Sequence, residues 1–336
     1  LREGKTDMFA LARQFLADPQ YGEKLLAGAP PEEIVPCIRC NGCHGHHTCA
    51  VNPRLGRKRD LFSPSTTSKR VAVIGGGPGG MMAALTAAQR GHQVELFEQQ
   101  PELGGQLVAA STPDYKWPIG EYVQYLIREM DRAGVVVHTG CQVTPPQLKE
   151  AGYDAVLVAV GSAPARIPVK GAERAWLAED VFGKEKQLGH RVVVIGGADT
   201  GRDVSLYLAR TGHQVTMVTR GQIQLSGDMH TERLEREAFE TNPNFSYVDF
   251  AQTLEIGAHQ VTLRVQTNGV RGFIPLMLPQ EDEDAYYVDQ HEGGPGGPGG
   301  PGGPGGPGGP FGGPGGPGGP GGGPAPEPVY ETRTLD

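Results

Sequence analysis

Four cysteines stand close together early in the sequence: Cys37, Cys40 and Cys43 at three-residue spacing, then Cys49, which runs into Val51-Asn52-Pro53. Three thiolates at that spacing suit the corners of an iron–sulfur cubane, with the fourth ligand arriving from a following loop. Structural zinc more often uses two separated Cys-x-x-Cys pairs, but His44, His46 and His47 could serve as nitrogen ligands, so zinc stays open. A disulfide framework fits poorly, because an intracellular-looking nucleotide motif follows at Gly75. The fifth cysteine, Cys141, follows an expected strand and reads as a plain core or surface thiol.

The elements that would stand beside this cluster repeat. Arg70-Val71-Ala72-Val73-Ile74 leads into Gly75-Gly76-Gly77-Pro78-Gly79-Gly80, a helix through Arg90, then Gly91-His92-Gln93-Val94 and a strand ending at Glu98. Moved along by 121 residues, from Arg70 to Arg191, the pattern recurs. Arg191-Val192-Val193-Val194-Ile195 leads into Gly196-Gly197-Ala198-Asp199-Thr200-Gly201, a helix through Arg210, Gly212-His213-Gln214-Val215 and a strand ending at Thr219. Short apolar strands of this kind fit a buried parallel sheet. One glycine fingerprint is weak evidence; two in register, each between strand and helix, are strong.

In the first copy Gly75 permits the tight turn, Gly77 admits a pyrophosphate to the backbone, and Gly80 lets the helix pack on the strand. The diphosphate would lie on the amides at the helix N-terminus, near Gly79, and Glu98 would bind ribose hydroxyls. The second copy departs from this. Ala198 replaces the middle glycine, and Thr219 followed by Arg220 replaces the acid. A missing carboxylate beside a cation relieves repulsion toward a 2′-phosphate, which leans toward NADPH over NADH; a surface arginine at a strand end is the plain alternative. Between the copies, residues 154–164 read as another buried strand with a sharp exit. Residues 121–132 carry Tyr122, Tyr125, Leu126 and Met130 at helical spacing.

A chain of 336 residues and net charge −8, without a basic cluster, argues against a nucleic-acid surface. No apolar run approaches the roughly 20 residues of a membrane span. The sequence begins at Leu1, with no charged-then-apolar signal segment in view. Residues 293–324 are almost wholly Gly-Gly-Pro, interrupted at Phe311, and read as a solvated, disordered insertion with 281–284 as its acidic shoulder.

Taken together, these features resemble the iron–sulfur flavoenzymes typified by 2,4-dienoyl-CoA reductase, enoate reductases and trimethylamine dehydrogenase. The likeness rests on the four cysteines with Val51-Asn52-Pro53, on the first fingerprint, on Leu103-Gly104-Gly105-Gln106-Leu107, and on Ala159-Val160-Gly161. It also covers residues 4–13 with Ala17-Asp18-Pro19, which resemble the last strand of that family's FMN-binding barrel. There a Gly-Arg pair helps bind the FMN phosphate; here Arg13 is kept and Ala12 replaces the glycine, so only Arg13 carries over. The resemblance implies FAD on the first unit (Gly75, Gly77, Gly79, Gly80, Glu98, Gly105, Gln106). It implies NAD(P)H on the second (Gly196, Gly201, Arg220), a [4Fe–4S] cluster at Cys37, Cys40, Cys43 and Cys49, and FMN in a barrel upstream. It also implies a chain truncated at both ends, with the catalytic acid in the absent barrel.

The expected organisation is an α/β chain with two Rossmann-like, disulfide-reductase-like units preceded by the end of a TIM barrel. It divides into a barrel remnant over 1–30, a cluster segment over 31–68, an incomplete FAD domain over 69–165, and an NAD(P)H domain over 166–336. The expected activity is that of a cytoplasmic NAD(P)H-dependent oxidoreductase, passing electrons from FAD through the cluster to FMN to reduce an activated C=C bond. Two rivals stand beside it: an amine dehydrogenase of the trimethylamine dehydrogenase type, and a non-catalytic zinc- and nucleotide-binding protein. The partner is a small unsaturated carbonyl compound or an amine, and a homo-oligomer is compatible with all three.

Overall fold

The computed structural model describes residues 5, 8, 10–57, 62–222, 234–236, 238–239, 241–266 and 330–335. The Gly-Gly-Pro segment and its acidic shoulder lie outside the described residues.

The chain opens with short helices α1 (Arg13–Ala17), α2 (Tyr21–Leu26) and α3 (Gly42–Gly45). The first dinucleotide unit follows: β1 (Arg70–Ile74), α4 (Pro78–Gln89), β2 (Gln93–Phe97), α5 (Gln106–Ala110), α6 (Trp117–Arg132), β3 (Val136–His138), α7 (Pro145–Glu150) and β4 (Ala155–Val158). Its sheet is parallel in the order β3-β2-β1-β4. The two strands flanking β1 therefore leave a crevice at its carboxyl end, where such sheets hold ligands.

Helix α4 starts with Pro78 in its first turn, where no amide hydrogen is needed, and turns Met81, Ala84 and Leu85 inward. Helix α6 also carries a proline in its first turn, Pro118, and buries Tyr122, Val123, Tyr125, Leu126 and Met130 at helical spacing. Both helices cover one face of the sheet and share a core with Val71, Val73, Val94 and Leu96. The helix begins four residues earlier than the 121–132 pattern suggests.

Strand β4 corrects the sequence reading. It ends at Val158, not Pro164, and it is an edge strand whose Val156, Leu157 and Val158 are exposed. Gly161 takes a left-handed backbone (φ +73°), which turns the chain away from the sheet. On β2, Glu95 lies 3.2 Å from His138 Nε2 and 3.5 Å from Arg70, tying three strands together. Burial pushes its carboxyl up, yet hydrogen bonds from Tyr153, His138 and Arg70 outweigh this and hold it below the usual range.

The second unit repeats the plan with β5 (Arg191–Ile195), α8 (Asp199–Arg210), β6 (Gln214–Val218) and β7 (Phe245–Val248), parallel in that strand order. An antiparallel sheet of β8 (Ala251–Ile256), β9 (Val261–Gln266) and β10 (Tyr330–Leu335) packs Leu263 and Val265 against Val193, Ile195 and Val218. No helix among the described residues is long and apolar enough to cross a membrane.

Candidate functional site

The first glycine turn is built by sterics. Gly75 has φ +109°, and a Cβ there would stand 2.3 Å from the carbonyl oxygen of Ala159. A Cβ on Gly80 would lie 1.9 Å from the Gly75 oxygen, so helix and strand meet only through glycine. Gly77 and Gly79 differ: nothing lies within 4 Å of a Cβ at either. That open ground at the N-terminus of α4 fits a diphosphate resting on backbone amides.

Glu98 borders this space. Its side chain is buried, and it accepts the Gly76 N–H at 2.6 Å through Oε2 and the Gln100 N–H at 2.7 Å through Oε1. Each carboxylate oxygen keeps a lone pair, enough to receive a ribose hydroxyl. From the other side, the Gly104 N–H bonds the Gly76 oxygen at 2.9 Å, and a Cβ on Gly105 would come 3.0 Å from Gly77 Cα. Gln106 Nε2 donates to the Ser162 oxygen at 3.1 Å. The structure thus brings Gly75, Gly77, Gly79, Gly80, Glu98, Gly105 and Gln106 to one crevice, and the residues present fit FAD.

In the second unit Gly196 has φ +115°, and a Cβ on Gly201 would meet the Gly196 oxygen at 1.8 Å. Ala198 caps α8 in an extended conformation and is exposed, and Arg220 is exposed beyond β6. Sequence reasoning missed what lies beneath. Arg202, where the first copy has Met81, is buried and bonds Glu235 at 3.1 Å, the Gly197 oxygen at 3.0 Å and Asp199. Glu235 is itself buried. The buried guanidinium is held by the buried Glu235 carboxylate and the Gly197 carbonyl, with Asp199 reaching it from solvent. This fixes the turn's geometry, although a buried ion pair adds little stability over an apolar pair. The signal was a lone arginine in a helix face that otherwise turns inward.

The cysteine loop is stapled to α1 at both ends. Gln14 donates to the Val35 oxygen at 2.8 Å and accepts the Cys37 N–H at 3.3 Å, while Asn52 donates to the Leu16 oxygen at 2.8 Å. Asp18, also buried, receives Lys24 at 2.8 Å and the Val35 N–H at 3.0 Å. None of these anchors was visible as a local motif. Arg39, Asn41 and His47 take left-handed backbones that curl the loop. Cys37 and Cys49 pack against the core of the first unit, and Cys40 is exposed.

Burial pushes the Cys49 thiol up, the Val51 and Asn52 N–H groups pull it down, and nearby Cys40 and Cys37 push it up further. Those N–H donors, and the mutual proximity of the three thiols, suit a thiolate cluster. Among the described residues, however, no group of three or more His, Cys, Asp or Glu is arranged to hold a metal ion. His44, His46 and His47 are exposed.

Arg13 opens α1 and reaches Asn41 Oδ1 at 3.4 Å. Of residues 4–12, where the last barrel strand is expected, 4, 6, 7 and 9 lie outside the described residues, and the described ones form no strand. Arg13, Cys37, Arg39, Trp117 and Arg128 line a cleft of about 980 Å³, in which the Arg39 guanidinium stands 5.1 Å from the Trp117 ring.

Two such repeated units are the plan of a flavin- and pyridine-nucleotide-linked oxidoreductase. Residues 69–242 match the family model described as pyridine nucleotide-disulphide oxidoreductase, and the chain belongs to that family. Its relatives are those of the enoate reductase and trimethylamine dehydrogenase group, as the sequence implied. It is 36% identical over 223 residues to cinnamate reductase of Clostridium sporogenes, covering 64% of this chain and 33% of that protein. It is 40% identical over 238 residues to NADH oxidase of Thermoanaerobacter brockii, covering 65% and 36%. A solved 2-naphthoyl-CoA reductase superposes with a TM-score of 0.71 at 28% identity, over 78% of this chain and 41% of that one. The chain spans about a third of the length of the curated relatives it matches.

Proposed function

We propose that this chain is the electron-input part of an NAD(P)H-dependent flavoenzyme that reduces an activated C=C bond. In this reading FAD lies on the first unit, NAD(P)H on the second, a [4Fe–4S] cluster on Cys37, Cys40, Cys43 and Cys49, and FMN in a barrel that ends within residues 1–30. The observation that supports it best is the open space over Gly77 and Gly79, walled by Glu98 and Gly105, with the cysteine loop packed on the same core through Cys37 and Cys49.

A bound flavin accepts a hydride, and an iron–sulfur cluster relays single electrons. The chain's own residues bind and orient. Gly77 and Gly79 clear the diphosphate seat, Glu98 fixes the ribose end, and Gln106 holds the α5 turn against Ser162. Gln14 and Asn52 hold the cysteine loop to α1, and Arg13 stands on that same helix facing the cleft. A cytoplasmic location and a small unsaturated carbonyl substrate belong to this proposal. The substrate class rests on the relatives' names.

The test is anaerobic turnover by the full-length protein, with NADH or NADPH as donor and an aryl-acrylate as acceptor. Saturation of the double bond at the expense of NAD(P)H is expected. Oxidation of a methylamine without pyridine-nucleotide consumption would contradict the reductase reading.

A further inference from the structure

The two nucleotide units are joined at a point that neither fingerprint uses. Asp114, Tyr115 and Lys116 form a single 3₁₀ turn immediately before α6, the helix that packs on the core of the first unit. All three residues engage α8 of the second unit. The Tyr115 ring is buried in the second unit's core with Val194, Val204 and Leu208, and its hydroxyl donates to the Asp203 carbonyl at 3.3 Å. Lys116 Nζ pairs with the Asp203 carboxylate, both groups being largely shielded from solvent. Arg210 lies 3.2 Å from Asp114 Oδ2 and stands over the Tyr115 ring at 5.7 Å.

Asp203 and Arg210 are seven residues apart, about 10 Å along a helix axis. Two contacts at that spacing fix the direction of α8 and not merely one point on it. The N-terminus of α8 carries the turn from Gly196 to Gly201, so any tilt of the helix displaces the seat of the dinucleotide. Asp203 follows Gly201 by two residues and feels that tilt first.

We infer that Asp114, Tyr115 and Lys116 are a latch that aligns the second unit on the first, with Lys116 and Asp203 as positioning residues for hydride delivery between the two nucleotides. This rests on the proposed reading of the second unit as the NAD(P)H site. Burial pushes the Asp203 carboxyl up against the opposing pull of Lys116, which means the carboxylate depends on its partner there. Without Lys116 the Asp203 carboxyl loses its tie to the 3₁₀ turn, and either a proton taken up there or a shift of α8 toward water relieves the unpaired charge. A hydride donor displaced by about 1 Å loses rate on the order of 100-fold without losing affinity.

The experiment uses the full-length holoenzyme and compares wild type with Lys116→Met, Arg210→Gln, and the swapped pair Lys116→Asp with Asp203→Lys. Flavin content and NAD(P)+ affinity should stay near wild type. Rapid flavin reduction at saturating NAD(P)H should slow roughly 10- to 100-fold in Lys116→Met and less in Arg210→Gln. Amide exchange should rise over 113–118 and 203–210, and the swapped pair should recover part of both losses. Unchanged reduction rates with unchanged exchange would overturn the latch. So would a loss of bound flavin or dinucleotide that accounts for the whole rate defect. The exchange readout tests the latch even in a protein that oxidises neither NADH nor NADPH, a result that would sink the proposed function alone.

Discussion

Glu98 and Thr219 occupy the same place in the two units, each filling the space beside the second glycine of its turn. A Cβ on Gly76 would lie 3.0 Å from Glu98 Cβ, and one on Gly197 would lie 2.9 Å from Thr219 Cβ. Only Glu98 also receives backbone N–H groups, from Gly76 and Gln100. Glu98→Ala should therefore destabilise the protein by about 2–4 kcal/mol, since two charge-assisted bonds are lost from a buried site. FAD content should fall with it. Thr219→Ala should cost about 1 kcal/mol or less. Urea unfolding of both variants checks this, and equal losses would mean that the carboxylate does not organise the turn.

Gly77 and Gly80 should fail in different ways. A Cβ at Gly77 meets no atom within 4 Å, so flavin-free Gly77→Leu should melt close to wild type while flavin binding drops at least about tenfold. Gly80→Ala drives a methyl into the Gly75 oxygen and should destabilise the fold itself by more than about 2 kcal/mol. Flavin titration and thermal melting separate the two. Full flavin retention by Gly77→Leu would move the diphosphate elsewhere.

Arg220 is exposed beyond β6, next to the position that lacks an acid. Arg220→Ala should raise the KM for NADPH roughly 10-fold and leave NADH nearly unchanged, the difference expected from losing one cation at a 2′-phosphate. Steady-state kinetics of the full-length enzyme with each nucleotide decides it. Equal effects would make Arg220 a plain surface charge.

Glu95 provides a pH test. Its folded carboxyl sits below the ordinary 4.5, so the ionised form is favoured by folding. Its contribution is then present above about pH 4.5 and is lost as the pH falls through the folded value. Glu95→Gln should be less stable than wild type at pH 7, and the gap should close below pH 4.5. Urea midpoints at several pH values measure this; a gap constant down to pH 3 would contradict it.

Much of this architecture was legible because it is local. Strands β1, β2, β5 and β6 fall on the apolar runs beside the two glycine fingerprints, and a steric demand for glycine at Gly75, Gly80 and Gly201 writes itself into the sequence. The pairing of Arg202 with Glu235, the stapling of the cysteine loop by Gln14 and Asn52, and the contact of Lys116 with Asp203 were not legible. Each joins residues far apart in the chain, with no periodicity to announce it. The exposed β4 shows the same limit from the other side. An apolar run marks a strand, but what covers that strand is a tertiary matter.

That Cys37, Cys40, Cys43 and Cys49 hold an iron–sulfur cluster beside a flavin is tested most directly by metal and flavin analysis of full-length protein purified without oxygen from iron-replete cells. About four irons and four inorganic sulfides per chain are expected, as for a cubane, together with bound FAD. Cys49→Ser should lose most of that iron while keeping the FAD. One zinc per chain, with no iron and no flavin, would contradict the account.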